Sequence, residues 1–325
     1  MSEDKKVMER MKRNQERLFK VQNGAAEMEV WLKDLVNSGL LTLQQKDADY
    51  FENMRSKMVD AQAPGLGNLI RELKEFQIQK NNSWQEESVH TISKMFLLLE
   101  GIKQLESLDS KSQNDIKYLV GWNVNQKEVL ENPEAEVLSD NWLQIFRITE
   151  MIEDITVQRN WFYGLQSGRF ALIINFAFRN ATIETKLVPA STFAMELVFV
   201  PSNMPLRAFV RNMNIEIPYS PEGIVMHTNF EEILEKMSLH RSAYPWLEDH
   251  PFAISQVRPV VTDNKYFLID LQNEALALPD DFDRTKCLHL LACTGSLAHD
   301  MFILIQKEKA IPMGIIGRKR YVLVN

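Results

Sequence analysis

The spacing of apolar residues changes once along this chain, from a period near 3.6 to a period near 2 at about Ser139. Residues recurring every 3.6 positions line one side of a helix, whereas residues recurring every second position line one face of a strand. A chain that makes this switch in one block does not alternate strand and helix as a doubly wound parallel sheet requires. The sequence therefore predicts an α+β protein: an N-terminal helical bundle followed by a mainly antiparallel β-rich domain with one or two helices. Asn132-Pro133, followed by the acidic stretch 134–136, marks the change, because proline and the residue before it resist helix. The expected domains are a helical domain with a charged N-terminal arm over 1–133 and a β-rich α+β domain over 134–325. In a chain of 325 residues each part is long enough to bury its own core.

In the front half, residues 2–22 are strongly charged, and Val7, Met11, Leu18 and Val21 form one narrow helical seam with Asn14 as its polar member. Three heptads are too few for a stable coiled coil. The segment is expected to be an arm that docks on a partner or, preferentially, on the chain's own body. After Gly24, Met28, Trp31, Leu32 and Leu35 recur at helical spacing, and Ser38-Gly39 supplies an end. Phe51, Met54 and Met58 continue the pattern, Ala63-Pro64-Gly65 interrupts it, and Leu66, Leu69, Ile70 and Leu73 restart it. Ser83 with Glu86, and Ser110 with Gln113, read as capping boxes for two further helices. Five or six helices are expected.

In the back half, Phe170, Leu172, Ile174, Phe176 and Phe178 share one face and Ala171 and Ala177 lie on the other, which predicts a central strand. Further strands are expected at 142–149, 155–163, 183–188, 195–200, 266–271, 301–306 and 321–324. Thr228 with Glu231 is expected to cap a helix carrying Phe230, Ile233, Leu234 and Met237.

Composition narrows the function. A net charge of -7 argues against field-driven attraction to nucleic acid or anionic lipid, though not against a local basic patch. The most apolar stretches fall short of the ~20 residues that span a bilayer, so no membrane association is expected. Two cysteines beside fifteen methionines fit a reducing cytoplasm.

No constellation predicts a catalytic residue, a cofactor site or a metal site. Cys287, His289, Cys293 and His299 lie in an apolar run, and on a strand alternate residues stand too far apart to converge on zinc. Ser296, His299 and Asp300 supply hydrolase residue types without a nucleophile elbow. Glu150, Glu153 and Asp154 read as a solvated turn between strands. Gly65-Leu66-Gly67 lacks the context of a dinucleotide loop and reads as a helix start. Gly314-Ile315-Ile316-Gly317 followed by Arg318, Lys319 and Arg320 is similar to the Gly-x-x-Gly loop of a KH module, which makes these three cations a candidate phosphate contact. Its flanks look like strands, so a solvated hairpin turn is the alternative.

Several stretches together resemble the body of bacterial SWIM zinc-finger proteins: 27–39 (EMEVWLKDLVNSG), 58–66 (MVDAQAPGL), 121–130 (GWNVNQKEVL), 159–178 (RNWFYGLQSGRFALIINFAF) and 196–210 (ELVFVPSNMPLRAFV). The resemblance covers most of residues 20–215. The Cys-x-Cys…Cys-x-His motif that precedes this body in such proteins is absent here, so zinc is not carried over. The charged start at Met1 is consistent with a product that begins just after such a finger. The resemblance implies a bacterial cytoplasmic body of unassigned activity, in a family often encoded beside MoxR-type AAA ATPases and von Willebrand A-domain proteins. It also singles out Trp161, Gly164, Ser167, Gly168, Arg169, Pro201, Pro205 and Arg207. Of these, Trp161, Ser167, Gly168, Arg169, Pro201 and Arg207 are the candidate interaction surface, its two arginines pairing with carboxylates or other anions. Core packing and turns are the alternative for the same residues. The expected function is a non-enzymatic interaction or scaffold protein of a cytoplasmic complex with a protein partner. A nucleic-acid-associated factor is second and a cryptic hydrolase third.

Overall fold

The computed structural model describes residues 3–79, 84–152, 154–179, 181–183, 187–263 and 265–324, and the chain divides into two compact units, Met1–Val124 and Asn125–Asn325.

In the first unit the heptad seam does not stop at Gly24. One helix, α1, runs Glu3–Ser38, and Val21, Ala25, Met28, Leu32 and Leu35 carry the alternating four- and three-residue steps into the core. The arm and the first bundle helix are thus a single element. Gly24 stays in it because a Cβ there would come within 2.5 Å of the Ala61 Cβ. Met8 and Met11 are exposed, so docking on the chain's own body begins further along than expected. Arg17 makes it: its Nη2 donates to Gln62 O at 3.3 Å and Gly121 O at 3.1 Å, and the guanidinium lies 5.1 Å from the Trp122 ring centre.

Four more α-helices and two 3₁₀ turns, Leu40–Gln45 and Leu105–Ser107, complete the described part of the unit: α2 (Ala48–Asp60), α3 (Pro64–Gln79), α4 (Trp84–Lys103) and α5 (Ser110–Val120). Phe51, Met54, Met58, Leu66, Ile70, Leu73, Met95, Leu99, Ile102 and Ile116 are buried, as their spacing predicts. The capping box expected at Ser83 lies outside the described residues. That at Ser110 moves by one position: Asp109 caps α5, its Oδ1 accepting from Lys111 N and Ser112 N, because it is the residue with extended backbone just before the first turn. Gly65 sits against the α5 backbone at Leu119, where no Cβ would fit.

The second unit begins before Pro133. A short helix, α6 (Gln126–Glu131), packs on strands of this unit, and Arg211 Nη2 donates to Leu130 O at 2.8 Å. The division between Val124 and Asn125 therefore precedes the boundary read at Asn132-Pro133. Five strands follow: β1 (Val137–Ile152), β2 (Ile155–Gly164), β3 (Phe170–Phe178), β4 (Thr192–Phe199) and β5 (Ala208–Ile217). Their order is β3-β2-β1-β4-β5, and each hydrogen-bonded neighbour is antiparallel. The two outer strands also meet: Leu172 forms a parallel bridge with Arg207, and Leu172 N donates to Leu206 O at 2.7 Å. The sheet is closed on itself as a small barrel, and a bulge in β1 between Gln144 and Phe146 accommodates the bend. Trp142, Phe162, Ala171, Ile173, Phe193, Met195, Leu197 and Phe199 fill the interior. β3 is thus a seam strand rather than the central strand expected. Of the strand expected at 183–188, residues 184–186 lie outside the described residues, and Ile183, Leu187 and Val188 are not in a strand.

The remaining elements are α7 (Phe230–Ala243), β6 (Asp249–Thr262), β7 (Lys265–Ile269), β8 (Ala275–Ala277), α8 (Arg284–Thr294), β9 (His299–Gln306), β10 (Lys309–Ile316) and β11 (Tyr321–Leu323). The strands form a second antiparallel sheet, ordered β11-β10-β9-β6-β7-β8. Along β9, Met301, Ile303 and Ile305 join the core that contains α7 and α8 residues, while Phe302 and Leu304 join the core shared with the barrel. Both faces are covered, so the run 301–305 is apolar without alternation. The cap of α7 again differs by one residue: Asn229 accepts from Glu232 N, and the Glu232 carboxylate accepts from Thr228 N and Oγ1. The run 287–293 is helix, not strand. Asp283 caps its start and Gly295, at φ 58°, its end. No helix of the described residues is long and apolar enough to cross a membrane.

Candidate functional site

The structure separates the residues expected to form one surface. Trp161 is 1% exposed and packs in the core between barrel and second sheet. Ser167 and Gly168 make the β2–β3 turn. Asp140 holds it, accepting from Gln166 N at 3.0 Å and Ser167 N at 2.8 Å, and Gly168 takes the left-handed conformation at φ 67°. Arg169 leaves this turn as a fork on Glu136, at 2.9 and 3.3 Å, with its guanidinium 5.3 Å from the Phe199 ring centre. That contact brings the turn beside the end of β4, two residues before Pro201. Arg207 lies elsewhere, on the outside of the barrel seam, 6.0 Å from the Phe176 ring centre and 5.4 Å from that of Phe209.

Arg318, Lys319 and Arg320 are exposed in the turn joining β10 to β11, which Gly317 N closes by donating to Arg320 O at 3.2 Å. Gly314 belongs to β10, against the Tyr321 ring, instead of flanking a loop. The Gly-x-x-Gly pattern therefore joins two strands, where a KH loop joins two helices.

The outer face of the barrel carries a patch that sequence reading missed. Register places Ile152, Ile155 and Phe178 in one row and Glu150, Val157 and Phe176 in the next. Phe176 is 57% exposed, Phe178 58% and Ile155 40%. Arginines lie over the exposed rings: Arg207 over Phe176, and Arg179 with its guanidinium 4.9 Å from the Phe178 ring centre. Arg159, one row further along, is paired with Glu150. The alternating phenylalanines were legible, but a strand facing a core was the reading they invited.

The remaining constellations come apart. Among the described residues no group of three or more His, Cys, Asp or Glu is placed to hold a metal ion. His299 Nε2 lies 3.1 Å from Thr294 O, while Asp300 accepts from Gln256 N and Nε2, both at 3.0 Å, so Ser296, His299 and Asp300 do not form a relay. In the first unit a cavity of 240 Å³ is lined by Phe51, Glu52, Arg55, Ile70, Arg71 and Lys74, and Arg55 is paired with Glu52 at 2.6 Å. The His240 and His250 rings lie 4.4 Å apart between centres, tilted by 56°, beside Phe252. Burial holds the His250 imidazole down at about 3, hence neutral, and pushes the neighbouring Asp249 carboxyl up to about 6.

These features define an α+β protein in which a helical bundle precedes a β unit built from a closed five-stranded barrel and a second antiparallel sheet. Residues 16–120 match the family described as the SWIM-associated four-helix bundle domain, in agreement with the resemblance seen in the sequence. No curated protein and no solved structure matches the chain.

Proposed function

We propose that this chain is a non-catalytic binding protein of the bacterial cytoplasm, whose β unit carries a contact surface and whose SWIM-type helical unit serves assembly. The observation that carries the reading is the barrel's outer face, where Phe176 and Phe178 are more than half exposed on adjacent rows with arginines over both rings. Monomers tolerate scattered apolar side chains on their surface, but a contiguous aromatic patch rimmed by charge is characteristic of binding faces. Exposed Met8 and Met11 on the N-terminal turns of α1 support a second contact through the helical unit. A MoxR-type AAA ATPase with a von Willebrand A-domain protein is the assembly that the family resemblance suggests.

The test is affinity capture with the full chain and with Phe176→Ser/Phe178→Ser, each crosslinked in the same bacterial lysate. A macromolecule recovered in stoichiometric amount with the first and lost with the second is the expected result. Equal recovery with both chains would remove the patch from the function.

A further inference from the structure

The geometry points to a single-stranded nucleic acid as the occupant of the barrel's outer face, with bases on Phe176 and Phe178 and phosphates on Arg179 and Arg207. This rests on the reading of that face as a binding surface and gives the partner's chemical class.

The first support is architecture. Five antiparallel-paired strands closed by a parallel contact between the third and the fifth make a small Greek-key barrel. In barrels of this kind the outer face of the second and third strands, flanked by the loops between strands 1 and 2 and strands 4 and 5, takes oligonucleotides or oligosaccharides. Here the patch occupies that position: β3 supplies Phe176 and Phe178, β2 supplies Ile155 and Arg159, and Arg207 stands at the end of the β4–β5 loop.

The second support is the pairing of side-chain types. Two residues apart on one strand, the phenylalanines stand about 6.6 Å from each other, a separation that gives each of two successive unstacked bases its own ring. Sheet-borne aromatics that stack two or three bases are how single-stranded RNA is read on open sheets, and stacking contributes about 1–3 kcal/mol per base whatever the base. The cations are arginines placed over the rings, so each aromatic carries a positive group beside it, and guanidinium is the side chain whose fork matches phosphate. An oligosaccharide would use the rings but has no use for the charges. The carboxylate in the register row of Phe176, Glu150, is already paired with Arg159.

The mode differs from a basic groove on duplex DNA. The patch is small and half apolar, and a duplex hides the base faces that the rings would stack.

The experiment is fluorescence anisotropy of the full chain with labelled oligothymidylate and oligouridylate and with a duplex of equal length, at low salt and across a salt titration. The expected result is saturable binding of the single strands, at least tenfold weaker duplex binding, and at least tenfold loss in Phe176→Ala/Phe178→Ala. Arg179→Gln/Arg207→Gln should weaken binding and flatten the salt slope by about 1.4 units, about 0.7 per single-strand phosphate contact, while Glu150→Gln should tighten it. All five side chains are outside the barrel interior, and an unchanged thermal midpoint confirms that each variant folds. Absence of single-strand binding at low salt, equal binding by the phenylalanine variant, or preference for the duplex would overturn the proposal. If the single strands fail while the capture experiment still recovers a protein through the patch, the nucleic-acid assignment falls and the binding surface stands.

Discussion

The two units of this chain bury their cores in opposite ways. In the helical unit each helix turns one stripe inward and leaves the rest in water, so its core is written locally, in steps of three and four residues. In the β unit, strands such as β9 are covered on both faces, and the contacts that matter join residues far apart in sequence: Tyr321 Oη donates to Ile145 O across 176 positions. The helical unit is consequently rich in short-range contacts that form fast, whereas the barrel and its covering sheet wait on long loop closures.

The strongest way to break this comparison is a core substitution in each unit. Trp142→Ala removes a fully buried ring whose Nε1 donates to Met195 O at 3.2 Å, and should cost about 3–5 kcal/mol. Far-ultraviolet circular dichroism on heating should then show two transitions, with the β unit melting first and the helical signal persisting. A single shared transition would show that the units fold as one.

Acid should also act on the β unit selectively. His250 titrates near 6.5 when unfolded and about 3 when folded, so between these values the unfolded chain binds a proton that the folded chain refuses. Stability from this group falls as pH drops through that window, by about 1.4 kcal/mol per unit. Asp249 acts with opposite sign. Its carboxyl rises from 3.8 to about 6 on folding, so the folded state takes the proton first and stability increases as pH drops from 6 towards 4. The two nearly cancel there, and Asp249→Asn should expose the His250 slope in urea denaturation measured at pH 7, 6, 5 and 4.

Two smaller changes sharpen the helical side. Gly65→Ala drives a Cβ into the α5 backbone at Leu119 and should cost about 1–3 kcal/mol, read from the urea midpoint of the helical transition alone. Asp109→Ala removes the α5 cap and should cost about 1 kcal/mol in the same measurement.

The same contrast explains what the sequence disclosed. Helical stripes, the start of α3 at Pro64 and the face of α7 were legible because each depends on neighbours within one or two turns. The caps were displaced by one residue at Asp109 and Asn229, since several Ser, Thr, Asp and Asn compete at each start and only backbone geometry selects among them. Gly24 read as a break, but it is a close contact inside one helix. In the back half, β6 escaped because Pro251 and Pro259 interrupt its pattern, and 287–293 was assigned to no element because its leucines and cysteines carry no period of their own. Closure of the barrel had no local signal at all. Nothing in the sequence marks Leu172 and Arg207 as a pair, and the exposed half of the phenylalanine row could be told from the buried half only once the second sheet was seen to cover Phe170 and leave Phe176 open.

Among the described residues, the seam between β3 and β5 shows one parallel bridge, with the Leu172 N to Leu206 O hydrogen bond, rather than a ladder. A closure so slight is where the barrel should breathe, and the Leu172 amide should exchange with solvent sooner than the amides of β1, which is bonded on both sides. Arg207 belongs to that bridge and also stacks on Phe176. Whatever settles on the ring therefore keeps the seam shut, so occupancy of the outer face and slow exchange at Leu172 should rise together, each a thermodynamic report of the other.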